Sequence, residues 1–376
     1  MNTPTKLPLG PLMIDIPGPQ LRAADRERLL HPAVGGIILF ARNCESAEQV
    51  QELCTEIHAL RDPQLLIAID QEGGRVQRLR SGVTRFPPQA SLGRMAEGEG
   101  LDAARGTAEI WGELLGYELR QLGIDIDFTP CIDLDAGVSS VIGDRALHRD
   151  PFLVGELASH LWQGMDRQGL TGVAKHFPGH GNVAADSHHE LPEDSRSRSE
   201  LEEDLRPFRR MVAAGIPAIM PAHVRYSACD SLPAGYSSYW LQRLLRNEMG
   251  FTGVIVSDDL SMAGACLAGD IAARVDSALA AGCELLLICN DEDAANRAMQ
   301  HCSNQKLPNF RLERLQGRPS HLDTMRLVAH RHCIEHLSEK FGNPCISSQT
   351  FGTSLAREEC HAGSTCRVPD PGVLPG

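Results

Sequence analysis

The sequence has no apolar run approaching the ~20 residues that span a bilayer; its strongly apolar runs, such as 35–40 and 65–69, are short. The opening segment MNTPTKLPLGPLMIDIPG has neither a basic start nor a long apolar stretch. It does not read as a signal peptide, so a cytoplasmic chain that engages no membrane is expected. Cations are in deficit: Lys plus Arg is 36 against 49 Asp plus Glu, a net charge of −13. Phosphate neutralisation needs clustered Lys and Arg, so no nucleic-acid partner is expected. No CxxC pair occurs among the 12 cysteines, and no GxGxxG sits between an early strand and its helix. These absences weigh against a standard zinc motif and an open dinucleotide-binding sheet.

What is present is ordinary globular composition over 376 residues, 42% apolar and 23% charged. Seven cysteines (Cys44, Cys54, Cys131, Cys229, Cys266, Cys283, Cys289) are scattered through apolar or helical surroundings and read as reduced thiols. Five more (Cys302, Cys333, Cys345, Cys360, Cys366) crowd the C-terminal stretch beside His301, His332 and His361, at spacings that fit no standard zinc site. From Phe341 the hydrophobic periodicity fades and Gly and Pro recur. Residues 341–376 therefore read as a poorly ordered tail without chemistry.

Eight short apolar runs read as strands: 12–16, 36–40, 65–70, 124–130, 172–176, 218–223, 254–258 and 285–290. Amphipathic helical patterns lie between them at 47–61, 104–123, 151–169, 200–215 and 271–282. Buried strands alternating with helices imply a parallel sheet. Eight repeats and this length favour a single α/β domain over residues 1–340, a (β/α)8 barrel of the TIM type. In such a barrel the chemistry belongs at the C-terminal strand ends. Polar residues terminate the runs repeatedly: Asp70, then Asp125, Asp127 and Asp133, then Lys175-His176, His223, Asp258-Asp259 and Asn290-Asp291. Any one of them suits a cap or a loop, but so many on one rim favour a site.

VIVSDDLSM delivers Asp258 to the end of strand seven, where a carboxylate serves as nucleophile or general base. Asp259 reads as the cap of a helix beginning near Leu260. In GVAKHFPGHGNVAADSHHELP, Asp186 and His188 are one residue apart. On an extended segment the carboxylate would orient the imidazole, whose free pKa of about 6.5 suits acid and base roles alike. Lys175 and His176 would hold hydroxyls. His176, His180, Asp186, His188 and His223 are also metal-ligand types, but this loop has no HExxH or HxH pair, so no metal or cofactor is expected. In IDQEGGRVQR, Asp70 and Arg78 suit a carbohydrate subsite or an ion pair bracing the loop. Arg75 and Arg78 would be neighbours if the segment were helical. Arg145, in GDRAL, could reach the pocket, with a structural salt bridge as the plainer role.

These four motifs, in this order, resemble glycoside hydrolase family 3, and more narrowly its bacterial cytoplasmic β-N-acetylglucosaminidases of peptidoglycan recycling. The resemblance covers roughly residues 8–300. It implies a nucleophile at Asp258, an acid/base at His188 paired with Asp186, and sugar-binding residues at Asp70, Arg78, Arg145, Lys175 and His176. It also implies a single-domain, monomeric barrel and a small carbohydrate substrate, a terminal β-linked N-acetylglucosamine on anhydromuropeptides, released by a retaining double displacement. Asn182 stands where an acidic residue is expected, and Gln71 where His is frequent. Other readings are a family member with another β-sugar preference, a metal-dependent barrel hydrolase, and a sugar-binding protein without turnover.

Overall fold

A computed structural model of the chain describes residues 4–184, 191–303, 305 and 312–342. At its centre is an all-parallel, curled sheet of eight strands. In chain order these are β1 (Leu12–Ile14), β2 (Val34–Leu39), β3 (Leu66–Ile69), β4 (Ile126–Asp127), β5 (Thr171–Phe177), β6 (Ala218–Pro221), β7 (Val254–Ile255) and β8 (Leu286–Ile288). The spatial order is β7-β6-β5-β4-β3-β2-β1-β8. Val256 also forms a parallel bridge with Leu285, so the two outermost strands of that order meet. Every strand is buried along its whole length, which is why the runs read as apolar without alternation.

The expected strands are all present, but several are shorter than the apolar runs. The run 124–130 contributes only Ile126–Asp127 to the ladder; Asp125 and Phe128 N–H still donate to Ile67 and Ile69 O, and side chains of the run add bonds of their own. Asp125 Oδ2 accepts Ile67 N–H at 3.0 Å, and Asp127 Oδ1 accepts Gln71 N–H at 2.8 Å. The expected helices correspond to Ala47–His58, Leu101–Gln121, Pro151–Arg167, Glu202–Ala214 and Ile271–Ala281. Ser46 caps the first through Gln49 N–H, and Asp150 caps the third with Pro151 at its first position.

Two expectations need correction. No helix starts at Leu260; a short 3₁₀ turn, Ala263–Ala268, follows instead, and Asp259 does not cap it. Residues 71–77 are not helical but form a small antiparallel hairpin. A further helix, Thr324–Phe341, escaped the sequence reading. Few of its residues are buried (His330, Ile334 and Leu337), so it has little hydrophobic periodicity. It is held instead by ions, Arg326 and His330 on Glu113 and Arg331 on Glu118. The expected tail begins where this helix ends, and residues 343–376 lie outside the described residues. The nine described cysteines are all free thiols. Among the described residues no helix is long and apolar enough to cross a membrane.

At the N-terminal end of the strands, the fully buried Arg61 donates to the carbonyls of Leu7, Pro8, Leu29, His31 and Val34. One guanidinium thus gathers five backbone carbonyls, of which Val34 O also accepts Gly10 N–H and His31 O also accepts Val34 N–H. On the outside, the helices Leu101–Gln121 and Pro151–Arg167 pack backbone to backbone. A Cβ on Gly112 would fall 1.9 Å from the Leu161 carbonyl oxygen, and one on Gly164 would fall 2.2 Å from that of Glu109. Gly112→Ala is expected to lower the unfolding free energy by about 2–3 kcal/mol despite the better helix propensity of alanine. Urea titration checks this, and unchanged stability would mean that the helices move apart freely.

Candidate active site

The site is built at the C-terminal ends of β3, β4, β5 and β7. Its centre is Lys175, 3% exposed on β5. The ammonium lies 3.0 Å from Asp70 Oδ1 and 2.6 Å from Glu72 Oε1. Arg78 donates to the other oxygen of Asp70 at 3.1 Å. Arg145 grips Glu72 with two parallel bonds, Nε at 2.8 Å and Nη2 at 2.9 Å. Burial disfavours every charge here, yet the mutual attraction wins. Lys175 holds its proton more tightly than a free lysine. Lys175 and Arg78 keep Asp70 well below the usual carboxylate range, and Arg145 with Lys175 brings Glu72 down to about 2.

Four of the expected sugar-binding residues, Asp70, Arg78, Arg145 and Lys175, therefore form one network. Arg145 reaches it through Glu72, which the sequence reading missed. A signal was available, since three cations around Asp70 alone leave positive charge unbalanced. Arg75 turns away and donates to Ser140 and Val141 carbonyls. Gln71 staples the hairpin: its Nε2 donates to Leu79 O at 2.8 Å, and its Oε1 accepts Leu79 N–H at 3.0 Å.

His176, the fifth expected residue, is oriented by Asp133. The carboxylate accepts the His176 ring Nδ1–H at 2.7 Å, the His176 and His180 backbone N–H groups, and the Cys131 thiol at 3.3 Å. His176 and His180 hold Asp133 ionised against its burial. With Nδ1–H committed, Nε2 of His176 is the atom left for a ligand. The Lys175–His176 and Phe177–Pro178 peptides are both cis. Cys131, Asp133 and His176 bring possible ligand atoms within 4.8 Å of one another, but they already satisfy each other as donors and acceptor. Both ring nitrogens of His180 are buried without a partner among the described residues.

Asp258 follows β7 by three residues, is half-buried, and accepts the Asp259 N–H on Oδ1 at 2.8 Å. Asp259 braces the turn: its carboxylate accepts Ser261 N–H, Ser261 O–H and Cys289 N–H. Burial still lifts Asp259 to about 7. His223 donates to the Asp259 carbonyl at 3.0 Å. Asp186 and His188 lie outside the described residues. Asn182, just before them, is half-buried.

Asp127 is the other carboxyl that carried no assigned role. It is fully buried beside the ion network, and its Oδ2 has no partner among the described residues. Burial pushes it up to about 8. The unfolded chain ionises near the ordinary aspartate value of 3.8, so between about pH 4 and 8 unfolding releases a proton and stability falls as pH rises. Asp127→Asn removes that titration. Its melting temperature is expected to exceed that of the wild type by a margin that widens from pH 5 to pH 8, checked by thermal denaturation across that range. A constant margin would mean that Asp127 is ionised in the folded protein.

A model of the glycosyl hydrolase family 3 N-terminal domain matches residues 10–319. The chain is 50% identical over 315 residues to a beta-hexosaminidase of Nitrosospira multiformis, covering 83% of this chain and 90% of the relative. It is 51% identical over 314 residues to one of Thioalkalivibrio sulfidiphilus, covering 82% and 90%. The crystal structure of native NagZ from Neisseria gonorrhoeae superposes with a TM-score of 0.84 at 43% identity, over 89% of this chain and 99% of that one. The same protein has been crystallised with N-trifluoroacetyl-D-glucosamine. On this family match and these relatives, the chain belongs to glycosyl hydrolase family 3, among the beta-hexosaminidases of that family.

Proposed function

We propose that the protein is a retaining β-N-acetylglucosaminidase that removes terminal, non-reducing β-N-acetylglucosamine from peptidoglycan fragments. The observation that carries this reading is the pairing of a half-buried carboxylate, Asp258, with the ion network of Asp70, Glu72, Lys175, Arg78 and Arg145 at the same end of the sheet. Such a network is a rigid array of donors and acceptors for sugar hydroxyls, and His176 adds a ring nitrogen of fixed tautomer. The N-trifluoroacetyl-D-glucosamine complex of the gonococcal relative supports the choice of sugar.

In this mechanism Asp258 attacks the anomeric carbon and the glycosidic bond breaks toward the leaving oxygen. His188 gives that oxygen its proton, then takes one from the water that hydrolyses the glycosyl ester. Asp186 stabilises the imidazolium and sets its tautomer. Asp70, Arg78, Lys175, His176 and, through its remaining N–H groups, Arg145 hold the sugar. The reading takes residues 1–340 as one closed (β/α)8 barrel, supported by the Val256–Leu285 bridge, with 341–376 as a tail outside the chemistry. It places the enzyme in the cytoplasm as a monomer, acting without metal or cofactor.

The test is release of p-nitrophenol from its β-N-acetylglucosaminide with EDTA present. Wild-type turnover is expected to continue in the chelator. Asp258→Ala is expected to lose about a thousandfold or more in kcat. The anomer formed first, read by proton NMR, is expected to be β. Loss of wild-type activity in EDTA with return on adding zinc would favour a metal-dependent hydrolase, and a first-formed α anomer would rule out double displacement.

A further inference from the structure

We propose that His223 is a positioning residue for the nucleophile, an imidazole that clamps the backbone turn carrying Asp258. The proposal rests on the reading of Asp258 as nucleophile. His223 follows β6 by two residues and is fully buried. Its Nε2 lies 3.0 Å from the Asp259 carbonyl oxygen. A carbonyl only accepts, so the ring proton sits on Nε2. Burial holds the ring neutral, although Asp258 nearby favours the cation and Arg274 opposes it.

The rest of the turn is tied mainly to β8. Ser257 N–H donates to Leu285 O, Leu287 N–H to Ser257 Oγ, Leu260 N–H to Leu287 O, and Cys289 N–H to Asp259. On the β6 side Val256 N–H donates to Ile219 O, and His223 adds a tie further along the turn. Without it the Asp259 carbonyl keeps its Met262 N–H bond within the turn but loses its link to the β6 side, so the turn follows β8 and the Asp258 carboxylate shifts with it. Attack on a carbon requires placement to a fraction of an ångström, so this hinge bears on kcat more than on sugar binding.

A purely space-filling role fits less well. Nδ1 of His223 is buried without a partner among the described residues. Its neighbours include the Tyr236 ring, with centroids 5.9 Å apart, and Gly235. An aliphatic side chain would fill that space without an orphaned acceptor, so the imidazole is kept at a cost to stability. That cost is consistent with the work of its other nitrogen.

The test compares His223→Leu and His223→Gln with the wild type. It reads kcat on the p-nitrophenyl β-N-acetylglucosaminide, N-acetylglucosamine affinity by calorimetry, and the melting temperature. His223→Leu is expected to lose about 100-fold in kcat while affinity changes less than about threefold, with the melting temperature unchanged or raised. His223→Gln, which restores an N–H donor, is expected to recover about tenfold of that loss. If the Leu variant does not fold, His223→Met takes its place in the same comparison. The proposal is overturned if kcat of the apolar variant stays within about threefold of wild type, if affinity falls in step with kcat, or if the Gln variant recovers nothing. A folded wild type with no turnover would instead defeat the glycosidase reading and is scored separately.

Discussion

A single buried ammonium group organises this end of the molecule. Lys175 leaves water almost completely, and two ionised carboxyls must meet it for that to be tolerable. Those carboxyls need cations of their own, which draws in Arg78 from the hairpin after β3 and Arg145 from the loop after β4. The outcome is a chain of alternating charge, Arg78–Asp70–Lys175–Glu72–Arg145, across three consecutive strands. Removing one member strands the others as uncompensated buried charge, which is why the loops bearing them share one geometry.

Around this network the carboxyls divide by their partners. Asp70, Glu72 and Asp133 are each met by cations or several donors and are kept ionised. Asp127 has one backbone donor and no cation in contact, and it is kept protonated. Asp259 has three neutral donors and falls between them. Equal chemistry in the sequence therefore becomes three different electrostatic roles, decided by contacts made over long chain separations. Asp258 differs again, because its partial exposure leaves it open to a substrate.

Strand and helix positions were legible because burial imposes periodicity. The runs at 36–40 and 65–69 are continuous and apolar, and 47–61 has a clear stripe. The rim was legible as well, through polar residues ending apolar runs. What stayed hidden depends on pairing. Glu72 meets Arg145 across 73 positions, and the helix Thr324–Phe341 is anchored by Glu113 and Glu118, more than 200 positions away. His223 was visible only as a possible ligand, because its partner is a backbone carbonyl, which has no signature in the sequence.

Arg61, tying five carbonyls together at the N-terminal strand ends, has no bonds to the ion network around Lys175. The two ends are therefore secured by separate networks. A lineage carrying this architecture is free to rewrite one end without renegotiating the other, and loop changes at the C-terminal strand ends reach the far end through the strands themselves. In evolutionary terms the guanidinium at the far end is an insurance policy: it makes the catalytic rim a place where new specificities can be tried while the scaffold stays inherited.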